Sequence, residues 1–113
     1  MAKYLISFPS RAMVIPDGEF QAVADAAHAV IQRAKDEGVY VFGGGIDEDV
    51  APVVVEGDGA VVAGGHPLRP MLDGGFTVLE LPTREAALEW ARAIAVACRC
   101  AQELRQFQYD PQS

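Results

Sequence analysis

His66, Arg69 and Asp73 lie within eight residues of one another in a glycine- and proline-rich stretch, Gly64-Gly65-His66-Pro67-Leu68-Arg69-Pro70-Met71-Leu72-Asp73. An imidazole transfers protons near neutral pH, a guanidinium forks onto a carboxylate, and an aspartate orients an imidazole. The set therefore has the makings of an acid/base site: His66 as the proton carrier, Asp73 as its orienter, Arg69 as an anion holder. Two prolines would stiffen its presentation. An ordinary polar surface loop is the competing reading.

Glu103 and Arg105 form a second group. They alternate with Leu104 and share a strand face with Phe107 and Tyr109. Two opposite charges among aromatic side chains suit a small-ligand pocket, but they also suit an ion pair that fixes register between subunits. Arg11, just after the first apolar run, can serve as an anion clamp or stand in solvent as a loop arginine.

The remaining reactive residues point to structure. His28 falls beside an apolar helical stripe rather than in its centre, as a half-exposed structural histidine does. Cys98 lies on a buried stripe and reads as a small hydrophobe. Cys98 and Cys100 are too close in sequence to bridge each other readily, and free thiols fit a reducing compartment. Two histidines without an acidic cluster argue against zinc. Gly43-Gly44-Gly45 follows a strand but no helix follows it, so it fails the structural test for a phosphate loop. No nucleotide or metal motif occurs in the chain, and the expectation is that no cofactor is used.

These groups must be positioned by a short chain. At 113 residues it fits one domain, with residues 1–109 as the folded unit and 110–113 as a tail expected to fray. Half the residues are hydrophobic and the net charge is −7. That balance describes a globular protein that repels nucleic acid and anionic membrane. No apolar run approaches a membrane span, and Met1 to Phe8 reads as a strand rather than a signal peptide, so the cytoplasm is the expected compartment.

Residues 3–8 form the first expected strand, followed by a loop from Arg11 to Pro16. Asp17 caps a helix whose stripe runs through Phe20, Val23, Ala24, Ala27, Val30, Ile31 and Ala34, and which Gly38 stops. Residues 39–42 make a second strand that the three glycines end. Residues 52–55 and 60–63 flank an Asp58-Gly59 turn as a hairpin. Residues 74–81 form a fifth strand covered on both sides. Thr83 caps a second helix with a stripe of Ala87, Leu88, Ala91, Ile94, Ala95 and Cys98, and residues 102–109 close the chain as a strand. With the hairpin set aside, the order is the split βαβ, ferredoxin-like pattern, an α+β fold with two helices on one face of an antiparallel sheet. Phe8, Phe42, Phe76 and Phe107 cannot all lie beneath two helices, so the other face calls for a homodimer with sheets face to face.

Several stretches give the chain a resemblance to the YCII-related proteins, in particular the branch named for an Asp-Gly-Pro-Phe motif. They are Lys3-Tyr4-Leu5-Ile6, the glycines after the second strand, the valine hairpin, Gly74-Gly75-Phe76, Glu85-Ala86-Ala87-Leu88-Glu89-Trp90-Ala91 and Glu103-Leu104-Arg105. The resemblance implies a dimeric α/β barrel with a ligand pocket between sheet and partner subunit. Related folds include small isomerases, monooxygenases and dehydrochlorinases. The chain departs from the signature itself: where the family has Asp-Gly-Pro-Phe it has Gly64-Gly65-His66-Pro67, so an acidic role at that position does not carry over. Two functional expectations follow. One is a cofactor-free proton-transfer enzyme, an isomerase or lyase acting on a small polar or aromatic acid. The other is a homodimeric binding or regulatory module without turnover.

Overall fold

Alternation in two central strands sets the architecture. In the computed structural model, which describes residues 1–113, β1 (Ala2–Phe8) and β5 (Gly75–Leu81) pair antiparallel along their whole lengths, Ala2 opposite Leu81 through Phe8 opposite Gly75. Every second residue shares a face. Tyr4, Ile6, Thr77, Leu79 and Leu81 are buried on one side, whereas Leu5, Val78 and Glu80 on the other are only half-buried.

Two helices cover the first side, α1 (Phe20–Asp36) and α2 (Arg84–Cys98). Strands β2 (Tyr40–Gly45) and β6 (Glu103–Gln106) flank the central pair, giving the order β2-β5-β1-β6 with every neighbour antiparallel. This α+β arrangement is compatible with the ferredoxin-like pattern expected from the element order. β3 (Val53–Val55) and β4 (Val61–Ala63) form a separate two-stranded hairpin.

Local chemistry explains the helix ends. Thr83 Oγ1 accepts the Ala86 N–H at 3.1 Å, the expected cap of α2. Gly38, at φ +74°, closes α1: its N–H donates to the Lys35 carbonyl and the Val39 N–H to the Ala34 carbonyl, the two bonds of a Schellman motif. Asp17 does not cap α1. The helix starts three residues later, its cap residue is Glu19, and no side chain accepts there. Arg11 lies in a 3-10 turn, Ser10–Ala12, rather than an irregular loop.

The core joins Ile6, Leu79 and Leu81 of the sheet to Ala34, Ala87, Trp90, Ala91 and Ile94 of the helices. Trp90, absent from the expected stripe, is buried and carries the Arg33 guanidinium 4.3 Å from its ring centroid. Phe20 and Leu88, both expected inside, are exposed. Phe8 points to the helix side and Phe42, Phe76 and Phe107 to the open face, so the four do not all lie beneath the helices. Only 13 of 113 residues are buried, a thin core that leaves much apolar surface uncovered. No helix is long and apolar enough to cross a membrane.

Candidate functional site

The three glycines expected to end β2 are part of it. Gly43 pairs with Thr77, Gly44 with Phe76 and Gly45 with Gly75, and a bulge at Val41 precedes them. Pairing with β5 overrides the poor strand propensity of glycine. Opposite residues of an antiparallel pair share a face, so Gly43, Gly45 and Gly75 all face the helices beyond the Thr77 side chain. Three adjoining core-facing positions thus carry no side chain.

The result is a cavity of about 380 Å³ between the glycine end of the sheet, α1 and the last turns of α2. Ala27, Val30 and Ile31 roof it, and Ile94, Ala97 and Cys98 form its back wall. Phe8 and Met13 close one side, and His28 stands at its rim. Thr77 supplies the single buried polar side chain. The neighbours fix which glycines hold the space open. A Cβ on Gly75 would meet the Phe8 ring at 2.7 Å, and one on Gly43 the Tyr40 hydroxyl at 3.0 Å. One on Gly45 would find only the Gly74 carbonyl oxygen, at 3.6 Å. Gly45 therefore borders open space. Burial, and then the nearby Cys100, pushes the Cys98 thiol above its ordinary range, so the wall presents a neutral S–H.

The residues singled out from the sequence lie elsewhere. His66 is exposed. Its Nδ1 accepts the Leu68 N–H at 3.1 Å and its carbonyl accepts the Arg69 N–H at 3.1 Å, a local turn that leaves only Nε2 free. Asp73 does not reach His66; its Oδ1 accepts the Ser10 N–H at 3.0 Å. Ser10 Oγ in turn donates to Glu48 at 2.9 Å, which joins both ends of the 46–74 segment to the end of β1. Arg69 and Arg11 are exposed and engage no carboxylate.

Glu103 and Arg105 pair with each other at 2.7 Å on the open face, opposite Ser7 and Leu5. The Glu103 carboxylate, hydrogen-bonded to the guanidinium, holds Arg105 more firmly protonated. Nearby, Lys3, Val41, Glu80, Phe107 and Tyr109 line a groove of about 450 Å³ that the tail, Asp110 to Ser113, borders. In the tail the Gln112 N–H donates to Asp110 Oδ1 at 2.9 Å.

The structure thus brings together Glu103 with Arg105, and Asp73 with Ser10, but not His66 with Asp73. Sequence reasoning missed the cavity. Its signal was Gly43, Gly45 and Gly75 acting jointly, which is visible only once the β2–β5 register is known. No family model matches the chain, and no curated protein matches it.

Proposed function

We propose that the protein is a homodimeric module that holds a small aromatic or short aliphatic molecule bearing one polar group. The ligand lies in the cavity beneath α1. The observation that carries this reading is the apolar cavity at the glycine end of the sheet, where Gly45 borders open space while the Phe8 ring lies over Gly75 and Tyr40 over Gly43. Native interiors are close-packed, so a gap of this size is an uncommon feature. The volume sits at the small end of ligand pockets, the walls are apolar, and Thr77 and His28 offer hydrogen bonds at two depths. A carboxylate or hydroxyl at the mouth would meet His28.

The dimer joins the open sheet faces, bringing Phe42, Val78 and Phe107 against their counterparts as in the dimeric barrel that the YCII-like resemblance implies. Two free thiols suit the cytoplasm. A second reading, proton transfer on a small acid, is favoured by the placement of His28 at the mouth. His66, with one nitrogen already occupied, is the alternative acid/base.

Titration of labelled protein with benzoate and its hydroxylated relatives, followed by NMR, tests the reading. Saturable shifts should cluster at Ala27, Gly43 to Gly45 and Thr77. Gly45→Leu should weaken binding at least ~10-fold with the fold kept, and His66→Ala should leave affinity unchanged. Shifts confined to the open face, or binding indifferent to Gly45→Leu, would sink the cavity assignment. New product signals from the ligand would select the enzymatic reading.

A further inference from the structure

The 46–74 segment leaves the sheet and returns to it at one point, where the Ile46 N–H donates to the Gly74 carbonyl at 2.9 Å. Within it the β3–β4 hairpin is regular, with Val53 opposite Ala63, Val54 opposite Val62 and Val55 opposite Val61. Neither strand packs appreciably on any other helix or strand. The molecule measures 43 × 43 × 20 Å and has a radius of gyration of 15.9 Å, against roughly 13 Å for a compact chain of this length. The short dimension is that of one sheet and one helix layer, so the arm lengthens the molecule without covering either face.

Such an arm is not self-sufficient. An isolated two-stranded hairpin is marginally stable at best in water. Here valines occupy both faces: Val53, Val55 and Val61 on one, Val54 and Val62 on the other. Nine of the chain's eighteen exposed large apolar residues fall in this quarter of the sequence, with Val55 at 67%, Leu68 at 88% and Met71 at 86% exposure. Patches of that kind mark interaction surfaces.

We propose that the arm is exchanged between two copies of this chain, each hairpin packing on the partner's body at the margin of its open sheet face. The inference rests on the homodimer reading above and adds an element to it. Three observations select this occupant. Hydrogen bonds of Asp73 and Glu48 to Ser10 fix both ends of the arm just beyond β1, and neither arm strand packs appreciably on the chain's own helices or sheet. Charge decides what it meets: the segment holds six acidic residues and one arginine, five of the seven net negative charges. Two arms therefore repel each other, and each is repelled by anionic lipid or nucleic acid. The body is nearly neutral, and on its open face Lys3 and Arg105 are balanced by Glu80 and Glu103, so this face repels the acidic arm less than a second arm does. Area supplies the third. At ~60–120 Å² per large apolar side chain, one arm offers on the order of 500 Å² and a reciprocal pair about 1,000 Å². That nearly reaches a standard interface before the sheet faces contribute.

Light scattering on the full chain, and on the Val55→Asp/Val61→Asp and Phe42→Glu variants, tests this together with a benzophenone amino acid in place of Val55 in mixed ¹⁵N/¹⁴N protein. The arm variant should keep its circular dichroism spectrum, because both valines are exposed in the single chain, and raise the dimer dissociation constant by about 100-fold or more. Cross-links should join chains of different isotope and map to open-face peptides. An arm variant as dimeric as the parent, or cross-links within one chain, would overturn the exchange. If in that case Phe42→Glu alone yields monomers, the sheet-face dimer stands without it. A parent chain monomeric at all concentrations would overturn both, and cross-linking to a protein other than this chain would overturn the choice of occupant.

Discussion

Two regions use the same side chains to opposite effect. Beneath α1 and α2, the aliphatic residues of β1 and β5 sink to nearly zero exposure; Leu79 is fully buried. In the arm, four regularly paired valines, Val53, Val55, Val61 and Val62, stay in solvent and Val54 is half-buried. The difference lies in what covers them. In the body, β1 leads into α1 and β5 into α2, and the two helices return over the sheet, whereas the arm returns to its origin without one. Hydrophobic pattern specifies that a surface must be covered, and topology decides whether the chain itself covers it.

The contrast can be broken by truncation. Leu79→Ala should cost about 2–5 kcal/mol of unfolding free energy, while Val61→Ala, measured on monomeric protein, should cost less than about 0.5 kcal/mol. Urea denaturation of both variants checks this, and a comparable loss at Val61 would mean that the arm is covered within one chain. Thr83→Ala removes the cap that starts α2 and should cost about 1 kcal/mol, sharpening the claim that the helix layer is built from local signals. The smallest effect is on pH. Burial raises the Cys98 thiol above its ordinary value of about 9. A raised native value contributes stability that is fully present below the unfolded-state value and is lost as pH climbs through the native one. Stability of the body should therefore decline in the alkaline limb, and Cys98→Ala should flatten that decline in urea titrations.

Much of the body was legible. The apolar run of the fifth strand, the Thr83 cap and the Gly38 stop all act over a few residues, and the structure keeps them, although the buried Thr77, Leu79 and Leu81 face separates from the half-buried Val78 and Glu80 face more sharply than a strand covered on both sides would show. The candidate site was far less legible. Glycine propensity favours a turn at 43–45, and only pairing with a strand thirty residues later turns those glycines into a cavity floor. His66 and Asp73 are sequence neighbours whose hydrogen bonds lead elsewhere, one into its own turn and the other to Ser10. Trp90 falls at helical spacing from Ala87 and Ile94, on the buried stripe of α2, and the stripe expected from the sequence passed over it.

The hydrogen bond between Ile46 and Gly74 has a kinetic side. Before β2 can find β5, the chain must close a loop of the 27 intervening residues. The entropy of that closure grows as the logarithm of loop length, and a formed hairpin, which leaves residues 47–52 and 64–73 to close, would relieve on the order of 0.5 kcal/mol. A hairpin that zips early, with its Asp58-Gly59 turn at the tip, shortens the effective loop by drawing its own ends together. Marginal as it is by itself, the hairpin thus lowers slightly the closure cost of the pairing that frames the cavity.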